Sequence, residues 1–424
     1  MKAILMAAPL LAAGAVLAVS TLAAGDGDAA TRARLGGQRP SVARPAKLSI
    51  SASQLVSEPG CNATAFAQLP GDRSLFIGRQ LITDQGRIAG VSGPNDCSGG
   101  DAANQQRGRP FNRWALVLDR MDWKTKRFSI VKPLLDPTTD PKSGRSRALV
   151  TGGPMRGLRI MSAYDPSVAQ WKGTTYVAFE CTVENGVAFG VQQTSSCISV
   201  YDPRTKSLDM KRTVVAVSGD RQGNVYHAAA VPRLLAFGGR LYLYWSALEA
   251  PNGAFGRTSV RGAELVPTGG TVMVKGARGK AITPMASLST QTWGPVRGEM
   301  SDLAVNLMGF QNDGRSFIAF AALGGSGCAA PSGQSRGCFR LVAKRSSTPL
   351  APDAWTKAAP VDLGLPTNPQ EYAAPVTDPS GKRWILGHFI RPPRNGFSER
   401  GPAPSAAFWQ SNKRASALAL IPME

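Results

Sequence analysis

The sequence predicts an all-β protein, a five-bladed β-propeller in a single domain with disulfide-stapled loops, and three observations predict it. The composition is turn-rich and weakly charged, with 46 glycines, 31 prolines and 18% charged residues in 424, which suits many short strands joined by turns. A pattern of strand, tight turn and strand is written five times along the chain. The copies stand too far apart for most short-repeat solenoids and at about the right distance for four strands per unit.

The clearest copy runs from Ser162 to Cys181, SAYDPSVAQWKGTTYVAFEC. Asp165 and Pro166 lead into an alternating apolar run, Lys172 and Gly173 make a turn, and TTYVAF forms a second β-rich run. This is a hairpin with a carboxylate at the mouth of its first strand. Leu234 to Ala247, Leu307 to Ala321, Val376 to Ile390 and Phe66 to Arg79 repeat it. Counting from Gly173, Gly239, Gly314 and Gly381, an aromatic follows three residues on, at Tyr176, Tyr242, Phe317 and Trp384. The first copy is looser, with Phe76 five residues after Gly71. The turn glycines lie 66, 75 and 67 residues apart after a first interval of 102.

Residues 1–24 carry one charge, Lys2, then an Ala/Leu/Val-rich core ending in small residues. This pattern is that of a cleaved secretory signal peptide, and the protein is expected outside the cytoplasm, secreted or periplasmic. A membrane association is expected only if that segment is retained, since it is also long enough to span a bilayer. Residues 25–47, with Arg32, Arg34, Arg39, Arg44 and Lys47 among Gly, Pro and Ala, read as a flexible basic linker. Residues 48–424 are left for the propeller, which can be one domain at this size because it grows by adding blades.

Six cysteines in an exported chain read as disulfides. Spacing favours the local pairs Cys61 with Cys97, Cys181 with Cys197, and Cys328 with Cys338, each stapling a loop. With no CxxC and two histidines, a zinc site is not expected. The net charge is +21 with a pI near 10.2. The basic residues are scattered over all units and not gathered on one helix or strand, which argues against nucleic acid. The surplus suits either a solvated exported surface or an anionic glycan partner. A monomer is expected.

Chemistry in a propeller is sought at the axial channel, lined by the innermost strand of each blade. Residues before or at the start of each first strand are Asn62, then Tyr164 with Asp165, Tyr226 with His227 and Arg233, Glu299 with Asp302, and Glu371 with Tyr372. Asp165, Glu299, Asp302 and Glu371 are the candidate catalytic carboxylates. Asn62, Tyr164, His227, Arg233 and Tyr372 are candidate substrate contacts, and Trp171, Tyr226 and Trp293 offer flat apolar faces for sugar rings. Converging carboxylates are what glycoside hydrolysis needs, one kept protonated to serve the leaving oxygen and one ionised to activate water or attack the sugar. Crowding and desolvation push their proton affinities apart.

DPSV followed by GTTYVAF, AAVPRL followed by GGRLYLYWSA, and EYAAP followed by GKRWILGHF resemble the five-bladed propellers of glycoside hydrolase family 43 and its relatives, the arabinanase and xylosidase type. The resemblance implies an inverting glycosidase, with an Asp as general base, a second Asp tuning the acid and a Glu as general acid. It implies base character for Asp165 and acid character for Glu371, with Glu299 a competing acid and Asp302 a modulator. Asn62 stands where a general-base aspartate is expected, and His227 where the tuning aspartate often lies. His388 resembles a histidine that some arabinanase-type propellers use near a central calcium at the propeller axis. No cofactor is otherwise required. The competing reading is a noncatalytic carbohydrate-binding or envelope-associated propeller, whose acids are structural.

Overall fold

The computed structural model describes residues 54–55, 66–81, 114–184, 195–252, 258–286, 288–293, 304–324, 339–361, 373–390 and 416–423. All of them belong to one compact unit, Arg44–Glu424. Residues 1–47, expected as leader and linker, together with Cys61, Asn62, Cys97, Glu299, Asp302, Cys328, Cys338, Glu371 and Tyr372, lie outside the described residues.

The described strands form five antiparallel sheets, and their first strands are Phe66–Gln68, Ile160–Trp171, Val225–Phe237, Ala304–Asn312 and Ala373–Thr377. Each first strand pairs with the strand that follows it in sequence, so every blade grows outward from the axis by hairpins. The first strands pack in a closed ring, blade one against blades two and five, two against three, three against four and four against five. This is the predicted five-bladed propeller. The chain start completes blade five, where Gln54 and Leu55 pair with Leu420 and Ala419 of Ser416–Pro422. That closure by an N-terminal strand is not apparent from the repeat.

The predicted turn glycines Gly71, Gly173, Gly239, Gly314 and Gly381 all have positive φ. The aromatics that follow them are buried in apolar layers between neighbouring blades. Tyr176 packs between blades two and three, Tyr242 and Phe317 between three and four, and Trp384 and Phe76 between five and one. Further layers join blades one to two and four to five. Strand alternation explains them, because each blade shows one face to the preceding blade and the other to the next.

Cys181 and Cys197 form the expected disulfide, linking the second and third strands of blade two. The other two expected pairs lie outside the described residues. No described helix is long and apolar enough to cross a membrane. Every first strand begins at the end of the propeller where the second strand of its blade finishes, and ends in a tight turn at the opposite end.

Candidate active site

The inner strands of blades two, three and four each carry one extra residue near mid-length. In blade two Tyr164 faces Glu180 and Ser167 faces Ala178, leaving Asp165 and Pro166 opposite one residue. In blade three Ala230 faces Ser246 and Arg233 faces Tyr244, leaving Val231 and Pro232 likewise. In blade four the register slips between Leu307 and Gly309. These are β-bulges, which bend a strand and re-aim a side chain. A proline suits such a position because the ladder needs no N–H there.

Asp165 and Val231 both adopt left-handed backbone, with φ of 49° and 50°. For a branched residue such as valine this is a strained conformation, costing roughly 1–3 kcal/mol, and it persists only where its surroundings fix it. The surroundings do fix it. The Val231 N–H donates to Glu180 Oε2 at 2.8 Å. Arg233, 2% exposed, donates to the carbonyls of Pro232 at 2.8 Å, Asp165 at 3.2 Å and Met308 at 2.9 Å. One guanidinium thus ties together the bulges of three successive blades. Ser167 Oγ accepts from the Leu234 N–H, and Ser196 Oγ donates to the Ala229 carbonyl, so the blade two to three junction is hydrogen-bonded along its length.

Asp165 turns toward blade one, where its Oδ1 takes a 2.6 Å ion pair from Arg79. The Arg79 guanidinium lies over the Trp114 ring, 4.7 Å from its centre. On the other side of the same strand pair stands Glu180, buried at the junction with blade three. Burial first, then the negative charge of Asp165, pushes the Glu180 carboxyl up to about 8, against the Val231 N–H, the Tyr164 hydroxyl and Arg79, which favour its charged form. Tyr164 donates to Glu180, and burial followed by that carboxylate raises the phenol well above its usual range. At neutral pH the arrangement holds a protonated carboxyl beside an ion-paired carboxylate.

Of the expected site residues, the structure brings Tyr164, Asp165 and Arg233 together. His227 belongs to a separate pair, with Nδ1 2.7 Å from Asp220 Oδ1 at the start of the blade three inner strand. His388 is in the second strand of blade five, opposite Leu418, and nothing further is described of its side chain. Three expectations are corrected. Asp165 sits at a bulge inside Ile160–Trp171 and not at the strand mouth. Trp171 is packed against Tyr176, with its indole N–H on the Gly239 carbonyl, and so is core. Trp293 is 1% exposed and meets Trp355 edge to face, so it too offers no open face to a sugar.

Glu180 was the missing member. It continues the alternation Tyr176, Ala178, Glu180 on the face toward blade three, so a carboxylate falls where the pattern demands an apolar side chain. The bulges also leave a signal, because Asp165-Pro166 and Val231-Pro232 each begin eight residues before their turn glycine. Among the described residues no group of three or more His, Cys, Asp or Glu side chains could hold a metal ion.

No family model and no curated protein matches the chain. Solved structures match along most of its length at low identity. An α-L-arabinofuranosidase from Lactobacillus brevis is 9% identical, with 89% of this chain and 92% of that chain covered and a TM-score of 0.44. Zg3597, a family 117 glycoside hydrolase produced by the marine bacterium Zobellia galactanivorans, is 13% identical over 88% and 91%, with a TM-score of 0.44. MPT-4, a mannose phosphorylase from Leishmania mexicana, is 12% identical over 89% of each chain, again with a TM-score of 0.44. At this level the likeness gives no residue a role, and the chemistry rests on the geometry of Asp165 and Glu180.

Proposed function

We propose that this propeller is an exported glycosidase acting on a polysaccharide or oligosaccharide by inversion. The observation that carries the reading is the division of labour between two neighbouring carboxyls, Glu180 held protonated to about pH 8 and Asp165 held as an ion pair. Glycoside hydrolysis requires that division. In this reading Glu180 gives its proton to the glycosidic oxygen as the C1–O bond breaks. Asp165 takes a proton from the water that attacks C1, and Arg79 holds the carboxylate in place. Glu371 and Glu299 are further candidates for the acid, with Asp302 as a modulator. The Cys181–Cys197 disulfide supports export, since such bonds persist in oxidising compartments.

One observation favours noncatalytic glycan binding instead. The Arg79 and Asp165 side chains are only 10% and 12% exposed, as a structural ion pair would be. Hydrolysis of aryl glycosides, arabinan, xylan and an acidic glycan by the full chain, beside Asp165→Asn and Glu180→Gln, separates the two. The glycosidase reading expects turnover that falls above about pH 8 and is lost in both variants at unchanged fold. Retention on a glycan column without turnover on any substrate would leave the binding reading.

A further inference from the structure

The five tight turns that end the inner hairpins all carry exposed cations, Arg73 in blade one, Lys172 in two, Arg240 in three, Arg315 in four, and Lys382 followed by Arg383 in five. The turns are stitched to their neighbours. Trp171 Nε1 donates to the Gly239 carbonyl, Asn312 Nδ2 to the Ala236 carbonyl, and Arg73 Nη1 to the Asp378 carbonyl. The cations therefore share the turn end of the propeller. Sequence order scatters them over about three quarters of the chain, and the fold collects them.

The acids of these turns are held in local hydrogen bonds. Asp313 accepts from the N–H groups of Arg315 and Ser316, and Asp378 from the Ser380 hydroxyl, the Lys382 N–H and the Trp384 indole. Asp72 accepts from the Ser74 N–H. Among the described residues Glu264 is the acid in an ion pair with a ring cation, 3.5 Å from Arg240, and it lies closer to Lys275 at 2.9 Å. Several cations are also held in place by aromatic rings. Lys172 lies over Trp171, Lys382 over Trp384, and Lys126 over Trp123 and Trp384. Trp123, half-buried, lies under Lys126 and sets its indole N–H on the Arg73 carbonyl.

The geometry points to the turn end of the propeller as a docking surface for an anionic polysaccharide, gripped by Arg73, Lys172, Arg240, Arg315 and Lys382. Fixed cations spread round one face suit a long polyanion that meets several at once, because each further contact is made at high effective concentration. Cations set over buried or half-buried aromatic rings suit a carboxylated sugar chain better than a bilayer. Among the described residues the large exposed apolar side chains are Val131 and Leu288 alone, and neither belongs to these turns to anchor in lipid. The surface is independent of the carboxylate pair.

The test measures binding of the full chain to immobilised polygalacturonate against salt, beside neutral arabinan and phosphatidylglycerol vesicles. One variant changes all five ring residues to Gln. A second changes five exposed cations elsewhere, Arg147, Arg156, Arg221, Arg278 and Lys280, to Gln and leaves total charge equal to the first. A third is Asp165→Asn. Polyanion binding is held by counterion release, so the ring variant is expected to bind at least about tenfold more weakly at low salt and with a flatter salt dependence. The second variant should stay near wild type, and Asp165→Asn should bind as wild type whether or not hydrolysis is lost. Equal loss in both charge variants would overturn the proposal, as would equal retention on arabinan. Tighter binding to the vesicles than to the polyuronate would give the face to membranes instead.

Discussion

Two junctions of the ring solve the same packing problem in opposite ways. Between blades five and one the layer is aromatic, with Phe66 stacked on Phe128 at 4.1 Å and set edge-on to Phe76, backed by Trp384, Leu386 and Leu420. Between blades two and three the inner part is polar and strained, with Glu180, Val231, Arg233 and Ser167 bonded across it. Each junction region also buries a carboxyl. Glu180 has a backbone N–H and a phenol as partners, whereas both oxygens of Asp119, against Phe66 and Gly78, have no hydrogen bond among the described residues. A Cβ at Gly78 would lie 2.2 Å from Asp119 Oδ2, so the acid fills the space that glycine leaves. The contrast shows that an unpartnered polar group is tolerated in a layer that closes the ring. Left-handed backbone at the bulges of the inner strands, by comparison, is held by a hydrogen-bonded network.

The sharpest way to break the polar junction is Arg233→Met. It deprives the Asp165, Pro232 and Met308 carbonyls of their shared donor while filling similar space, and bonds to a charged group are the strong ones. A loss on the order of 4 kcal/mol is expected, read as a large fall in melting temperature. If Arg233→Met melts like the wild type, the bulges are held by their own local sequence and the guanidinium is incidental.

Next in size is the pH dependence of Glu180. Its folded-state affinity for a proton, at about 8, lies above the unfolded value of 4.5. The stability it contributes is therefore fully present below about pH 4.5 and is lost as pH rises through about 8, by an amount on the order of a few kcal/mol. Glu180→Gln keeps the Val231 contact and removes the titration. Its melting temperature should vary less than that of the wild type between pH 5 and 9, and a parallel pair of curves would rule out a buried titrating carboxyl there.

How far this contrast is legible in the sequence follows from the range of each signal. Turn glycines, the aromatics after them and the Cys181–Cys197 staple are local, so spacing alone finds them and the structure agrees. Glu180 and Asp119 are hidden because each interrupts an apolar alternation, in TTYVAFEC and WALVLDRM, and reads as a stray charge on an otherwise buried strand. Asp165 is visible as an acid before a proline, yet its aim toward Arg79 is not. The bulge moves the register by one residue, and one residue changes which face a side chain takes. Arg233 reads as a candidate substrate contact after VP, and only the ring shows that it is buried and reaches blades on either side.

Asp119 offers a smaller effect of the same sign. Burial raises its carboxyl well above the usual range, with no partner to oppose it. Stability is again greatest at low pH and lost as pH rises. Asp119→Asn, which is nearly the same shape and stays neutral, should raise the melting temperature at pH 8 by roughly 1–3 kcal/mol of stability and do nothing comparable at pH 4. A variant that is destabilised at both values would show that the carboxyl has a function in closing the ring that an amide cannot supply.

The smallest effect calibrates the others through two ion pairs that reach blade two from outside it. Arg145 and Glu184 form a two-bonded ion pair like that between a guanidinium and a carboxylate anywhere, but Arg145 is 51% exposed. Arg79 and Asp165 form the same chemical pair almost out of water. Water and salt screen the first, whereas removing one partner of the second strands a charge among apolar neighbours. Glu184→Gln should leave the melting temperature unchanged within error in both low and high salt, while Arg79→Met lowers it in both. Equal losses would mean that the inner pair is as well hydrated as the outer one. The channel beside Asp165 would then be open to water, as hydrolysis requires and a sealed structural pair does not.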